Sequence, residues 1–168
     1  MHVCGHSPMA TSSIISSRLA LLFFGQGKRT GGSSMVGIVI VSHSRLAAEG
    51  IRELAAQMAG PDTAIIACGG MEDGSIGTDA MRIQDAIVRA DSGDGVCVMV
   101  DLGSGIMSAE TAIEFLEFDD EHAGIRVQIA DAPVLEGAVS AAVSASAGDS
   151  LEEVIAAAEE ARGVKKLE

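Results

Sequence analysis

The chain contains neither tryptophan nor tyrosine, and its aromatic residues are four phenylalanines among 168 residues. Proteins that bind single-stranded nucleic acid stack bases on aromatic side chains in a basic groove. This chain has few aromatic residues and a formal net charge of −13. The same acidity disfavours contact with an anionic membrane surface. We therefore expect no nucleic-acid partner and no membrane partner.

Cysteine and long apolar runs are also scarce. The three cysteines (Cys4, Cys68 and Cys97) are scattered and odd in number, which fits neither a disulfide framework nor a zinc site. The apolar run Leu19–Phe24 is six residues long, whereas a membrane span needs about 20. With 48% hydrophobic residues, the composition predicts a globular, acidic protein of a reducing compartment, hence a cytoplasmic one.

The charge divides the chain into two parts. Residues 1–34 carry three basic and no acidic side chains, whereas residues 35–168 carry eight basic and 24 acidic ones, a net charge of −16. The segment Gly25–Ser34 has the glycine and serine content of a linker. We interpret residues 1–34 as an N-terminal extension, either a tag or upstream start or a targeting arm. Residues 35–168, beginning at Met35, then form one domain.

From Met35, strand-like and helix-like segments alternate. Apolar runs rich in β-branched residues, typical of strands buried on both faces of a parallel sheet, cover Val36–Val41, Thr63–Cys68 and Val96–Val100. Ile125–Ala130 alternates between apolar and polar residues, which predicts an edge strand with one wetter face.

Helical spacing of apolar residues predicts helices between and after these strands. The first opens after Ser44 and stops at Gly60-Pro61, with an apolar face made of Ala47, Ile51, Leu54, Ala55 and Met58. Later helices are predicted over about 78–90, over 106–117, from Pro133, and over 151–162 behind a capping-box pattern, Ser150–Glu153. The fold class is therefore α/β, an open, mainly parallel four-stranded sheet flanked by helices, and right-handed crossovers leave few topologies. Among these we expect the sheet order 2-1-3-4.

Ligands of open α/β sheets bind at the carboxyl ends of the strands. Three loops leave such ends, and each is unusual in composition: Ser42–Ser44, the glycine- and acid-rich Gly69–Asp79, and Asp101–Gly105. One loop supplies an imidazole, one a carboxylate, and two supply glycines and hydroxyl groups that open helices. Their convergence at one edge of the sheet predicts a functional site there.

His43 is the leading catalytic candidate, because its position directly after a buried strand places the ring at the sheet edge. A neutral imidazole has one nitrogen that can attack and one N–H that a carboxylate can hold. Asp101 is the candidate carboxylate, because the first and third strands are neighbours in a 2-1-3-4 sheet. Position alone leaves alternatives open: His43 as a turn or cap residue, and Asp101 as a stabilising acid at a helix N-terminus.

Glycines and hydroxyl residues near these two side chains are candidates for phosphate binding. They are Ser44, Gly77, Thr78, Gly103 and Ser104. Backbone N–H groups at helix N-termini bind phosphate, although the same residue types also form ordinary turns and helix caps.

Other reactive residues fit structural roles better. Cys68 and Cys97 lie on predicted buried strands and are expected to be core residues. His122, within an acidic segment, is expected to be merely solvated. No cluster has metal-ligand spacing. We therefore expect neither a metal nor another cofactor.

Four ordered motifs between Met35 and about Arg162 resemble the phosphotransferase subunit M of the phosphoenolpyruvate-dependent dihydroxyacetone kinase. Its wider relatives are the mannose-type IIA domains of the sugar phosphotransferase system. The motifs are Ile38–Ser44, Ile76–Ala80, Val100–Ser104 with Ser108–Ala112, and Ala132–Ala138.

The resemblance implies that His43 is phosphorylated by the histidine phosphocarrier protein and that Asp101 hydrogen-bonds its ring. It further implies a homodimer of the mannose-type IIA fold. Its phosphoryl group would pass to ADP on a nucleotide-binding kinase subunit, and from there to dihydroxyacetone on a third, dihydroxyacetone-binding subunit. The glycine-rich loop Gly69–Ser75 looks short for the family.

Two competing functions remain. The first is a IIA component of a mannose-type sugar transporter, which uses the same histidine chemistry on another acceptor. The second is a non-catalytic regulatory α/β module, in which His43 is only a turn residue.

Overall fold

The computed structural model describes residues 34–167, so the predicted extension lies outside the described residues except for Ser34. The strands are β1 (Gly37–Ser42), β2 (Ile65–Gly69), β3 (Val96–Val100) and β4 (Val127–Ile129). The α-helices are α1 (Arg45–Met58), α2 (Ala80–Ala90), α3 (Gly103–Glu117), α4 (Val134–Ala147) and α5 (Leu151–Glu160), followed by a 3₁₀ turn at Ala161–Gly163.

The four strands form one parallel sheet in the order β2-β1-β3-β4, which confirms the predicted fold class. β1 is central and buried on both faces. Ile38 and Ile40 pack into a core shared with α1, α4 and α5, whereas Val39 and Val41 pack into a second core shared with α2 and α3. This two-sided burial explains why the first predicted strand is a continuous apolar run.

Two helices begin two or more residues away from their predicted starts. α2 begins at Ala80 and not at Thr78, because the Asp79 carboxylate accepts two backbone N–H groups of the first turn and so fixes the cap. α3 begins at Gly103, three residues before the predicted Ile106. Glycine and serine have low helix propensity, so the first turn of α3 gives no helical signal in the sequence.

The predicted apolar face of α1 is wrong in part. The buried residues are Ala48, Ile51 and Ala55. The predicted Ala47, Leu54 and Met58 are exposed. Only a narrow strip of the helix surface packs on the sheet, and the apolar residues beside this strip are exposed to solvent. The spacing of apolar residues alone does not show where such a strip ends.

Several local predictions are confirmed. Cys68 and Cys97 are buried, and burial raises the pKa of the Cys97 thiol to about 12. Ser150 and Glu153 form the expected capping box at the start of α5. β4 is a short edge strand whose Gln128 is exposed, consistent with one wetter face.

The sheet order determines where the site lies. Val41 on β1 pairs with Val100 on β3, and the Asp101 N–H donates to the Val41 carbonyl over 3.2 Å. The loops that leave β1 and β3 therefore begin side by side.

Candidate active site

His43 and Asp101 meet where β1 and β3 end. Nδ1 of His43 lies 2.9 Å from Oδ1 of Asp101, and each side chain is only 19% exposed. The structure thus brings together the two residues that sequence reasoning placed at one sheet edge.

The Asp101 carboxylate accepts four hydrogen bonds. Oδ1 accepts from Nδ1 of His43 and from the Leu102 N–H over 2.7 Å. Oδ2 accepts from the Ser42 hydroxyl over 2.8 Å and from the His43 N–H over 2.9 Å. Partial burial raises the pKa of Asp101, but the hydrogen bonds from His43, Ser42 and Leu102 together hold it below its ordinary value of 3.8. Asp101 is therefore an anion at neutral pH.

This carboxylate determines the tautomer of His43. An ionised carboxylate can only accept, so Nδ1 carries the proton and Nε2 carries the lone pair. Nε2 lies 2.7 Å from the Ser104 hydroxyl oxygen, which donates to that lone pair. The nitrogen that carries the lone pair is thus Nε2, on the side of the ring away from Asp101.

Ser104 belongs to a glycine-rich first turn of α3. Within the part of the chain that the structure describes, the backbone N–H groups of Gly103 and Ser104 have no hydrogen-bond partner. A Cβ on Gly105 would lie 2.8 Å from Cγ1 of Val100 and 3.6 Å from Cε1 of His43. Glycine at position 105 therefore allows α3 to approach the imidazole closely enough for the Ser104 contact.

Gly77 contacts the site in a different way from that predicted. Its N–H donates to the His43 carbonyl over 2.9 Å, so that N–H is not free for a phosphate in this structure. Its φ of +156° is within the range that favours glycine, and a Cβ there would meet the Met71 side chain at 2.9 Å. Gly77 ties the β2–α2 loop to the backbone of the site histidine.

The other two predicted hydroxyl residues already have partners. Oγ1 of Thr78 lies 2.8 Å from the hydroxyl oxygen of Ser108, and the Ser108 hydroxyl also donates to the Ser104 carbonyl over 3.3 Å. The Ser44 hydroxyl caps α1 by accepting the Ala47 N–H over 3.4 Å. Thr78 therefore links the β2–α2 loop to α3 beside the site, whereas Ser44 acts as a helix cap.

Sequence reasoning missed Ser42 and Ser108. Ser42 ends an otherwise apolar strand and is 1% exposed, so a polar residue at the end of a buried run was the available signal. Ser108 lies one helical turn after Ser104, but its role depends on the contact with Thr78, which no sequence pattern shows.

Two basic side chains on segments that adjoin the site already have partners. Arg45, two residues after His43, pairs with Glu49 at 2.9 Å, and Arg82 donates to the Gly70 carbonyl. Across residues 34–167, no group of three histidine, cysteine or acidic side chains could hold a metal ion. No helix in that range is long and apolar enough to cross a membrane.

His122 is not merely solvated, which corrects the sequence expectation. Its Nδ1 lies 2.8 Å from Oδ2 of Asp119, and this hydrogen bond raises the pKa of His122. The pair lines an open groove of about 400 Å³ beside Met81 and Arg89 of α2. The described part of the chain thus holds a second carboxylate-bonded histidine.

Large apolar side chains are exposed on the loops and first helical turns that carry the site. We call them the apolar rim: Leu46 (71% exposed), Ile76 (73%), Leu102 (63%) and Met107 (68%). They come from α1, the β2–α2 loop, the β3–α3 connection and α3, the segments that leave β1, β2 and β3. Large apolar side chains are also exposed elsewhere, for example Phe118 at 87%, so these four are set apart by their position on the segments around the site. Exposed apolar surface at such a position is typical of a protein-binding surface.

Comparison with known sequences matches the chain to one family. A family model described as PTS system fructose IIA component matches residues 37–155. The phosphoryl donor subunit DhaM of PEP-dependent dihydroxyacetone kinase 2 from Listeria innocua is 40% identical over 121 residues, which are 72% of this chain and 94% of the relative.

Longer relatives match as well. DhaM subunits from Escherichia coli and Providencia stuartii are 43% and 37% identical over 124 and 135 residues, or 72% and 79% of this chain. This chain spans only 26% and 28% of those two proteins.

Solved structures share the fold. A crystal structure of a protein of unknown function, EF1359, has a TM-score of 0.68 and 36% identity, covering 80% of this chain and 99% of that chain. A sigma-54 interaction domain protein from Enterococcus faecalis shares the fold at 16% identity, with a TM-score of 0.56 over 76% of this chain and 90% of that one. The resemblance carried by the four motifs is confirmed, and the chain belongs to the family of DhaM phosphoryl donor subunits, of which it contains the IIA domain.

Proposed function

We propose that this chain is the phosphoryl-transfer subunit of a phosphoenolpyruvate-dependent dihydroxyacetone kinase, with Nε2 of His43 as the carrier atom. The observation that carries the proposal is the orientation of the imidazole ring, with one nitrogen bonded to a carboxylate and the other carrying the lone pair. Nδ1 is held by Asp101 at 2.9 Å, while the Nε2 lone pair faces outward, 2.7 Å from Ser104. The names and identities of the DhaM relatives support the same activity.

The first step is in-line transfer. The bond between phosphorus and the donor's histidine nitrogen breaks as a bond between phosphorus and Nε2 of His43 forms. Nε2 carries no proton, so none has to leave, and the Nδ1 proton stays on the nitrogen. Asp101 balances the positive charge that develops on the ring, as the carboxylate does in a hydrolase triad. The second step repeats this displacement with a phosphate oxygen of ADP as the nucleophile.

The phosphoryl oxygens would be held at the start of α3. The Ser104 hydroxyl rotates from the Nε2 lone pair to donate to a phosphoryl oxygen. The backbone N–H groups of Gly103 and Ser104 lie at the positive end of the helix dipole and are free to donate as well. Gly77 and Thr78 would contribute by holding the neighbouring loop, and Ser44 by capping α1.

The partners follow from the same assignment. The donor is the histidine phosphocarrier protein, the acceptor is the nucleotide-binding kinase subunit with its ADP, and the dihydroxyacetone-binding subunit receives the group last. The phosphocarrier and the nucleotide-binding subunit would each dock on the apolar rim around His43. The charge of −16 on residues 35–168 favours partner surfaces with basic patches. We place the protein in the cytoplasm as a homodimer.

The domain assignment is part of the proposal. Residues 35–168 constitute the phosphotransfer domain, which the family match to residues 37–155 supports. Residues 1–34 are an extension that takes no part in transfer. Removing them should leave the rate of His43 phosphorylation unchanged.

A labelling experiment tests the proposal. The protein is incubated with radiolabelled phosphoenolpyruvate, enzyme I and the phosphocarrier, and acid-labile label is quantified. We expect one label per chain, lost in His43→Gln and retained in His122→Gln. His122 is the matched control because its Nδ1 is also bonded to a carboxylate, that of Asp119. Absence of label in the unmodified protein would refute phosphoryl transfer and favour the regulatory module.

The second candidate function is a IIA component of a mannose-type sugar transporter. The description of the matching family model, PTS system fructose IIA component, favours it. The labelled protein is therefore offered, in parallel, the ADP-loaded kinase subunit and a mannose-type membrane transporter with its sugar. Discharge to the kinase subunit supports our proposal, and discharge only to sugar supports the alternative.

A further inference from the structure

Two polar side chains are buried within residues 34–167, and both are serines. Ser42 is 1% exposed and Ser144 is 8% exposed. Each hydroxyl donates to an aspartate carboxylate: Ser42 to Oδ2 of Asp101 over 2.8 Å, and Ser144 to Oδ2 of Asp149 over 2.6 Å. A buried hydroxyl is costly unless it is hydrogen-bonded, so both bonds have structural value. Only the bond from Ser42 reaches the phosphoryl-transfer site.

The hydrogen bond from Ser42 has one direction. The Ser44 N–H donates to the Ser42 oxygen over 3.1 Å, and a carboxylate can only accept, so the Ser42 proton points at Asp101. Oδ2 of Asp101 therefore accepts hydrogen bonds from the Ser42 hydroxyl and from the His43 backbone N–H. Oδ1 accepts the hydrogen bond from Nδ1 of the imidazole. Ser42 thus holds the carboxylate through Oδ2, the oxygen that does not contact the imidazole ring.

We propose that Ser42 is a positioning residue for phosphoryl transfer, acting on His43 through Asp101; this role rests on the proposed function. Its hydroxyl keeps the carboxylate in the rotamer that meets Nδ1 and lowers the basicity of the oxygen pair. The Nδ1 proton therefore stays on the ring, and the lone pair stays on Nε2. Without the hydroxyl, Asp101 keeps three of its four donors but only one on Oδ2. The carboxylate is then held less firmly against Nδ1, and the imidazole samples more of the tautomer with its proton on Nε2.

Ser144 provides the matched control. It lies near the end of α4, which runs back from the carboxyl ends of the strands, so it belongs to the edge of the sheet away from His43. Substituting it removes a buried serine–aspartate hydrogen bond of the same kind without touching the site. The pair Ser42→Ala and Ser144→Ala therefore separates a positioning effect from a general loss of stability.

The test combines rate and spectrum. Rapid-quench transfer from the phosphorylated phosphocarrier should show kcat reduced roughly tenfold in Ser42→Ala with KM unchanged, the size expected for one hydrogen bond to a charged group. The imidazole ¹⁵N spectrum of His43 should move towards the Nε2–H tautomer. Ser42→Thr should restore both, and Ser144→Ala should change neither.

Two further arms make the result decisive. If Ser42→Ala does not fold, Ser42→Cys takes its place, because a thiol has a similar volume to the hydroxyl and is a weaker donor. We expect its transfer rate to lie below that of the unmodified protein and above a tenfold loss. Full label on His43 with an unchanged rate or an unchanged ¹⁵N spectrum in folded Ser42→Ala or Ser42→Cys would overturn the positioning role alone. Absence of label in the unmodified protein would instead overturn the proposed function.

Discussion

The Ser104 hydroxyl lies 2.7 Å from Nε2 of His43, on the lone pair through which the imidazole attacks phosphorus in our proposal. The same hydroxyl therefore has two successive partners: the nitrogen before transfer and a phosphoryl oxygen afterwards. A side chain that only caps the lone pair would slow transfer, whereas one that also binds the phosphoryl group would accelerate it.

Substitution of Ser104 distinguishes these roles. We expect Ser104→Ala to reduce the transfer rate roughly tenfold, the size of one net hydrogen bond, because one donor to the developing phosphoryl charge is lost. Ser104→Thr should retain most of the rate. Ser146→Ala is the control, since its hydroxyl donates to the Val143 carbonyl at the end of α4. An unchanged or faster rate in Ser104→Ala would mean that the hydroxyl merely occupies the lone pair.

Asp101→Asn should reverse the tautomer. An asparagine can present an N–H to Nδ1, which places the imidazole proton on Nε2 and removes the nucleophile. We expect transfer to slow by about 100-fold or more, as for a triad carboxylate replaced by its amide, with the fold retained. Quench-flow kinetics and the circular dichroism spectrum measure the two effects. Unchanged kinetics would remove Asp101 from the mechanism.

The lowered pKa of Asp101 predicts a pH dependence of stability. A carboxylate with a folded-state pKa below 3.8 stabilises the fold at any pH above that value, and this contribution is lost as the pH falls through the folded-state pKa. The difference in unfolding free energy between the unmodified protein and Asp101→Asn should therefore shrink as the pH falls below 3.8. Urea titrations at several pH values measure it, and other acids cancel because both proteins contain them. A difference that persists undiminished in acid would contradict the hydrogen-bonded carboxylate.

Two neighbouring glycines of α3 should differ in their tolerance of alanine. A Cβ on Gly105 would meet Val100 at 2.8 Å, whereas a Cβ on Gly103 has nothing within 4 Å. We expect Gly105→Ala to cost about 1–3 kcal/mol of stability by overpacking and to slow transfer by moving α3 away from His43. Gly103→Ala should be neutral or stabilising by up to about 1 kcal/mol. Thermal unfolding of both variants is the measurement, and equal effects would show that the close approach of α3 is not required.

The apolar rim should affect recognition and leave the chemistry unchanged. Met107→Gln should raise KM for the phosphorylated phosphocarrier several-fold, by about 1 kcal/mol for apolar area no longer buried at the interface, with kcat unchanged. Met58→Gln is the control, because Met58 is similarly exposed (59% against 68% for Met107) but lies at the far end of α1. Equal KM values for the two variants would place docking elsewhere.

The α/β class and the edge of the sheet at which His43 and Asp101 lie could be predicted from the sequence because both follow from long-range rules. Buried strands are continuous apolar runs, crossovers between parallel strands are right-handed, and ligand loops leave the carboxyl ends. None of these rules requires side-chain detail. They place His43 and Asp101, which are 58 positions apart in the chain, at the same edge of the sheet. Their direct contact depends in addition on β1 and β3 being neighbours, an order that right-handed crossovers allow but do not require.

The remaining parts of the site depend on geometry that no local pattern encodes. The N–H of Gly77 donates a hydrogen bond to the His43 carbonyl. The Thr78 hydroxyl, in the β2–α2 loop, is hydrogen-bonded to the Ser108 hydroxyl in α3. Both contacts result from how the β2–α2 loop folds over the site. The bond from His122 to Asp119 was missed for a similar reason, since an acidic segment looks solvated until its turn is known.

The most direct test of the account is to find which nitrogen of His43 carries the phosphoryl group. The ¹⁵N-labelled protein is phosphorylated by phosphoenolpyruvate, enzyme I and the phosphocarrier, and phosphorus–nitrogen couplings are recorded by NMR. Our account predicts coupling to Nε2 of His43, with Nδ1 still protonated and bonded to Asp101. Coupling to Nδ1, or a phosphoryl group on another residue, would contradict it.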